Sequence, residues 1–465
     1  MALAYSPTGQ IEEISTGEGA AERISTMGYD ALNRLQTITD AENHQVTMTY
    51  DPANRVQAVA LPDNQQVGFG YDPNGNVQSV TPPGRPAHSF AYRRNNLLET
   101  YTLPDVGTGT ATERRFYDRD AHLTRVERAD GRALDFVYDP TTRKLTSLTS
   151  PRGQTDFGYH AATGQLASIR EPEGQVVSQS FDGPLLTRLA WQGEVTGSVE
   201  RIWDNDLRVT SLKVNGADSI AFSYDDDSLL TSAGALTIAR EATTGREKST
   251  TLGLITTDRT YTSFGEPETM TVKQGETEIY FEQLTYNKVG WVTDLLRRTN
   301  GASTTQHFEY DLRGRLTETW TNGALESSYD YDANSNRLNY EGPLGNATGS
   351  YDARDRMMSY GPATFTYRES GELLTKTEGG QTTSYDFDVF GNLRRVDLPN
   401  GIVIEYLTDG AQRRICKKVN GVLVKQWLYQ DQLEPIAEVD AAGNVVTRFV
   451  YGTRAHVPDY LIKGG

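Results

Sequence analysis

QVTMTYDPANRVQAVALPDNQQVGFGYDPNGNVQSV, residues 45–80, holds the fold in miniature. Tyr50-Asp51 and Tyr71-Asp72 stand 21 residues apart, and the same interval leads back to Tyr29-Asp30 and on to a spoiled copy at Tyr92-Arg93. A fixed period in the range of about 20 to 50 residues marks a repeat architecture, in which each unit is too small to bury its own apolar face and must stack on its neighbours. Within each copy, Val46, Met48 and Tyr50 fall on one face and Thr47 and Thr49 on the other, the alternation of a half-buried strand.

The pair returns at Tyr117-Asp118, Tyr138-Asp139, Tyr310-Asp311, Tyr331-Asp332 and Tyr351-Asp352. Tyr5, Tyr159, Phe181, Trp203, Tyr224, Tyr261, Tyr286, Tyr367, Phe387, Tyr406, Tyr429 and Tyr451 carry the register through the rest of the chain. One degenerate copy is expected near Ala239-Arg240, and the units shorten from Glu341 to Phe365. Residues 1–465 therefore read as one continuous array of about twenty units, with no composition shift to mark a domain boundary.

Each unit has the same grammar. The aspartate opens a turn in which its carboxylate accepts backbone N–H groups two residues on, while Asn33, Asn54, Gly75, Gly164, Gly314 and Gly391 sit where a type I turn followed by a left-handed residue needs positive φ. That is a hairpin turn with a bulge. A second turn falls halfway through, marked by Pro62-Asp63-Asn64, Pro151-Arg152-Gly153, Asn322-Gly323 and Asn420-Gly421. The opening strand alternates less cleanly, since Leu35 to Ile38 and Val77 to Val80 are three apart, and a bulge there would restore one face.

The fold expected is all-β: antiparallel hairpins, two strands per unit, about forty strands in one long sheet. At about 4.8 Å per strand the sheet would run on the order of 190 Å, and an open twisted sheet rarely passes about ten strands without curling. Wound once it would enclose a space roughly 60 Å across, so a hollow spiral or partial shell is expected. The repeat tyrosines are expected to stack in a ladder from strand to strand.

Only 37% of the 465 residues are hydrophobic, and the mean hydropathy of -0.56 suits a sheet with one apolar and one wet face. The net charge of -17 argues against a nucleic-acid partner, which needs a basic stripe. No apolar run reaches the length of a membrane span, and the N-terminus lacks a charged-then-apolar signal pattern. Met1-Ala2 leads straight into repeat sequence, so the expectation is an excised fragment whose open sheet edges are covered by Met1 to Thr8 and Val457 to Gly465, or associate with another chain.

Chemistry-bearing patterns are sparse. The six histidines are scattered without metal-binding spacing, and neither a phosphate-binding Gly-rich loop nor a GxSxG elbow occurs. The lone Cys416 allows no disulfide and reads as a strand residue. Asp225-Asp226-Asp227, Asp204 with Asp206, and Asp386 with Asp388 read as turn aspartates, since calcium wants six to eight oxygens from a wrapping loop. No catalytic residue, cofactor or metal is expected; the residues singled out are the structural tyrosines, aspartates and glycines of the repeat. Trp191, Trp291, Trp320 and Trp427 lie off the register and are the residues to test for carbohydrate.

The YDxxGRL signature at this spacing resembles the Rhs or YD-repeat proteins of bacteria, which include the B and C components of Tc toxins and the polymorphic toxins; teneurins of animals carry similar repeats. The stretch LYQDQLEPIAEVDAAGNVVTRFVYGTRAHVPDYLIKGG, residues 428–465, looks like the start of an Rhs-associated core segment. The resemblance implies a shell that wraps a toxic C-terminal cargo, in a bacterial protein delivered outside the cell, with the rest of a larger Rhs polypeptide as partner. A family self-cleavage site ends in a DPxGL-like motif. Here Asp51-Pro52, Asp72-Pro73 and Asp139-Pro140 are turn positions, none followed by Gly-Leu, so self-cleavage and toxin activity do not carry over to these residues. The function expected is a non-enzymatic shell segment; the alternative is an extracellular or cell-surface module binding glycans or a protein partner.

Overall fold

In the computed structural model, residues 1–17, 19, 22–109 and 111–464 are described; Gly465, the last residue of the expected terminal cover, lies outside them. Among the described residues there are 44 strands, β1 (Ala2–Tyr5) to β44 (Tyr460–Lys463), joined as antiparallel hairpins, and no α-helix. The strands fall into two compact units, one of residues 1–112 and 254–364, the other of residues 113–253 and 365–465. Each unit combines an early and a late stretch of the array.

The unit grammar appears in the registers. Between β3 (Arg23–Tyr29) and β4 (Leu35–Thr39), Tyr29 faces Leu35 while Gly28 faces Thr37, so Gln36 is the extra residue of a bulge. The bulge brings Leu35 and Ile38 to one face, opposite Tyr29 and Met27. The same shift recurs at Tyr50, Tyr71, Tyr138, Tyr310, Tyr331 and Tyr351. Positive φ falls at Asn33 (60°), Asn54 (64°), Gly75 (91°) and Gly314 (76°), as the turn requires.

The degenerate copy is resolved. Arg240 holds the aromatic position, with a register shift beside it, and its Nε donates to the Leu230 carbonyl at 3.0 Å. A guanidinium there does the work of a tyrosine hydroxyl. From Ala347 to Tyr367 the strands β33 to β35 are four or five residues long, matching the shortened units. Fully buried apolar residues concentrate in the second unit, where Val177, Trp191, Val199, Val214 and Ile220 pack in one cluster with Ile415, Leu428, Ile436, Val439 and Val450. At the N-terminus all four residues of β1 are exposed, and β1 pairs with β2 (Ile11–Thr16).

Candidate functional site

The repeated chemical object is the tyrosine-aspartate turn. Asp30 Oδ1 accepts the N–H groups of Leu32 (2.9 Å) and Arg34 (3.0 Å), and its Oδ2 accepts Arg34 Nε (2.7 Å). Asp51 does the same with Ala53 and Arg55, and Asp311 with Arg313 and Arg315. Asp352 binds Arg354 and Arg356, whereas Asp72 and Asp332 take their side-chain donor from Asn76 and Asn336. Asp118 uses His122, and Asp139 caps a turn one residue longer through Thr141 and Thr142. Donors converging on one carboxylate favour its charged form. The Arg34 side chain accordingly holds Asp30 below the usual carboxylate range, and the Arg55 backbone and side chain do so for Asp51.

The tyrosines tie one unit to the previous one. Tyr50, Tyr71, Tyr138 and Tyr331 donate their hydroxyl to the carbonyls of Leu35 (2.5 Å), Val56 (2.8 Å), Leu123 (3.0 Å) and Leu316 (2.8 Å), each the first residue of the preceding opening strand. Tyr29, Tyr310 and Tyr351 reach Ile11, Val292 and Arg337 in the same way. Tyr117 ends β11 (Thr112–Tyr117) opposite Leu123. The expected stack of tyrosine on tyrosine is not what fills the row. Successive repeat tyrosines lie two strands apart, about 9.6 Å, beyond the roughly 4.5 to 7 Å of ring pairs. A cation from the intervening turn lies over the ring: Arg34 lies 4.3 Å from the centroid of the Tyr50 ring, Arg55 4.4 Å from Tyr71 and Arg315 5.1 Å from Tyr331. Each of these arginines is held by its own unit's aspartate and covers the next unit's tyrosine.

The sequence reading missed a seam. In the first unit, mid-unit turns of residues 1–112 meet tyrosine-proximal turns of residues 254–364. Arg23 pairs with Glu266 at 2.6 Å, Glu42 accepts the Lys288 N–H, Asp63 faces Arg313 and Arg315, and Arg85 bridges Asp332 and Asp355. Burial works against the Arg85 charge, but its two carboxylates outweigh it and raise the pKa.

The second unit repeats the pattern. Arg128 and Arg132 converge on Glu372, Arg152 reaches the buried Asp388, and Arg394 reaches Glu173. At the deepest point Trp191 Nε1 donates to Asp409 Oδ2 at 2.8 Å, and Arg413 Nε and Nη2 donate to the same oxygen at 2.9 and 2.7 Å. The separations run from 218 to 270 residues. A signal was present in the sequence, because Arg23, Glu42, Asp63 and Arg85 lie at successive half-way turns with an opposite charge or a donor 243 to 250 residues on.

The tryptophans separate. Trp191 is 2% exposed in the seam, and Trp291 stacks on His44 at 5.3 Å and leans on Tyr310. Trp320 donates to Glu318, while Trp427 lines an open cavity of about 510 Å³ with Phe387, Tyr429 and Arg414. Asp204 and Asp225 cap turns through the N–H groups two and four residues on, and Asp388 caps its turn while meeting Arg152. Asp118, Asp120 and His122 bring three potential ligand atoms within 4.8 Å of one another, but His122 already bonds Asp118 and Arg143 pairs with Asp120. Cys416 is buried, and burial pushes its thiol up to about 11, which removes its nucleophilic form at neutral pH.

Repeated hairpins, locked by aspartate turns and by tyrosine-to-carbonyl bonds, define a YD-repeat sheet protein. Residues 1–463 match the Teneurin YD-shell family, and the chain belongs to it. It is 28% identical to teneurin-3 of Mus musculus over 196 residues, 40% of this chain and 7% of that protein. It is 25% identical to teneurin-1 of Homo sapiens over 194 residues, and 24% to teneurin-4 of Mus musculus over 293 residues, 59% of this chain and 10% of that one. The chain thus spans a tenth or less of the curated relatives it matches. Among solved structures, TcdB2-TccC3-TEV superimposes with a TM-score of 0.64 at 10% identity, over 96% of this chain and 32% of that one. A Tc holotoxin pore of Photorhabdus luminescens gives 0.61 at 12%, over 96% and 33%. At such identities the likeness establishes the fold.

Proposed function

We propose that this chain is a non-enzymatic wall segment of an Rhs-type shell, one part of a larger polypeptide, that encloses and shields a cargo polypeptide. The observation that carries the reading is the seam. Within each unit the hydrogen-bonded sheet has its turns clasped by ion pairs to turns far along the chain, and in the second unit apolar side chains of the two stretches pack together as well. A wall built this way excludes proteases and keeps an enclosed chain from acting until release. Membership of the YD-shell family supports the role, and the likeness to Tc structures supports the fold it needs. A bacterial protein delivered outside the cell, and residues 428–465 as the start of a closing core segment, belong to the same proposal.

The test is protease protection in the full parent polypeptide. Intact protein treated with a broad-specificity protease should retain a protected downstream segment that becomes digestible once the wall is opened by mild urea. A downstream segment digested at the same rate before and after opening would refute enclosure.

A further inference from the structure

A second cavity lies in the second unit, about 260 Å³, between strands of residues 197–224 and the turns of residues 430–451. That is below the roughly 300 to 1,000 Å³ of sites for drug-sized ligands, so its occupant is a fragment-sized group. Its apolar wall is Val209, Leu212 and Phe222, with the rings of Tyr224 and Tyr451 beside them. Both tyrosine hydroxyls are engaged, on the Val209 and Pro435 carbonyls at 2.9 Å each. The polar wall is Arg201, Gln430 and Asp431.

Arg201 is the informative residue. Its Nη1 is buried and donates to nothing, although a buried unpaired donor is costly and uncommon. Burial lowers the Arg201 pKa, Asp431 lies near enough to favour its charge and Arg413 opposes it, but among the described residues Arg201 and Asp431 form no ion pair. Asp431 Oδ1 is committed to the N–H groups of Leu433 (2.8 Å) and Glu434 (2.7 Å), which leaves Oδ2 to face a donor. Gln430 Nε2 is committed to Glu434. The cavity thus presents an unused cationic donor, a carboxylate acceptor close by and an apolar floor. An anionic ligand would meet the Asp431 carboxylate beside the guanidinium. A neutral group with one acceptor, one donor and a hydrocarbon side fits all three walls.

We propose that this cavity is a holdfast for extended polypeptide: Arg201 Nη1 donates to a backbone carbonyl, Asp431 accepts a backbone N–H, and an aliphatic side chain of leucine size rests on Val209, Leu212 and Phe222. The inference rests on the shell reading for the source of that polypeptide, but its chemistry is tested separately. The probe is N-acetyl-L-leucine methylamide, titrated into the 465-residue chain by saturation-transfer NMR, with methyl α-D-glucopyranoside as comparator. The expected result is saturable binding of the amide, weakened about tenfold or more in Arg201→Met, the loss of one charge-assisted hydrogen bond. Because Nη1 is unpaired without ligand, Arg201→Met should unfold at no lower urea concentration than the parent chain. Absence of saturable amide binding, equal binding by Arg201→Met, preference for the glucoside, or failure of Arg201→Met to fold would each overturn the assignment. A negative titration leaves the protease-protection result standing, so failure of the holdfast and failure of the shell are distinguishable.

Discussion

Replacing Asp409 by asparagine should damage the second unit more than any other single exchange of comparable size. The Asp409 side chain is fully buried, and that of its partner Arg413 is 4% exposed. Oδ2 accepts from Trp191 Nε1, Arg413 Nε and Arg413 Nη2, while Oδ1 accepts the N–H groups of Ala411 (3.0 Å) and Arg413 (3.1 Å). Asparagine keeps the Oδ1 role. At the other position it puts an amide NH2 against three donors and leaves a buried guanidinium without its anion. Breaking one side of a buried pair costs about 3 to 5 kcal/mol. Trp191→Phe, which removes one donor to the charged oxygen and keeps most of the ring, should cost about 1.5 to 3 kcal/mol. The assay is urea unfolding at 25 °C followed by tryptophan fluorescence, with the midpoint read at constant slope. An Asp409→Asn loss below about 1 kcal/mol, with Arg413 still buried by hydrogen exchange of its side chain, would refute the seam as a stabilising contact.

Four further outcomes follow from the same geometry. Gly314→Val should destabilise more than Gly75→Val: both positions have positive φ, but an added Cβ at Gly314 would lie 2.6 Å from the Trp291 ring, whereas Gly75 faces open space, and thermal unfolding of the two variants ranks them. Asp30 and Asp51 are held below the usual carboxylate range by their arginines, and Asp72 by Asn76, so the folded state prefers their charged forms. Their stabilisation is present above the unfolded aspartate pKa of about 3.9 and is lost as pH falls through the lower folded values, so urea midpoints should drop below about pH 4. Glu171 runs the other way: burial raises its pKa against the pull of Arg152, so Glu171→Gln should raise the midpoint at pH 7 and leave it nearly unchanged at low pH. The fourth outcome concerns Arg55, which joins Asp51 to the Asp72 carbonyl and covers Tyr71; Arg55→Lys loses the planar fork and should lower the melting temperature more than Lys144→Arg, measured by scanning fluorimetry.

The local rules of this fold were written in consecutive residues. Asp30 to Leu35 specify a turn, a left-handed Asn33 and a bulge whatever lies far away, because φ preference, the reach of a carboxylate and the two-residue period of a strand act within about six positions. All-β architecture, antiparallel pairing, strand number and the degenerate copy at Arg240 were therefore legible from the spacing alone. What fills the tyrosine row was not, since it depends on the distance between alternate strands: that spacing admits Arg34 over the Tyr50 ring but excludes ring on ring. The seam lay further out of reach. Whether Arg85 meets Asp332 or another carboxylate is set by small twists summed over about a dozen units, and a sequence with 62 acidic residues offers many partners for every arginine. The same holds for the cavity at Arg201, where residues 201–224 and 430–451 come together only because tertiary packing aligns two distant stretches of one repeating pattern.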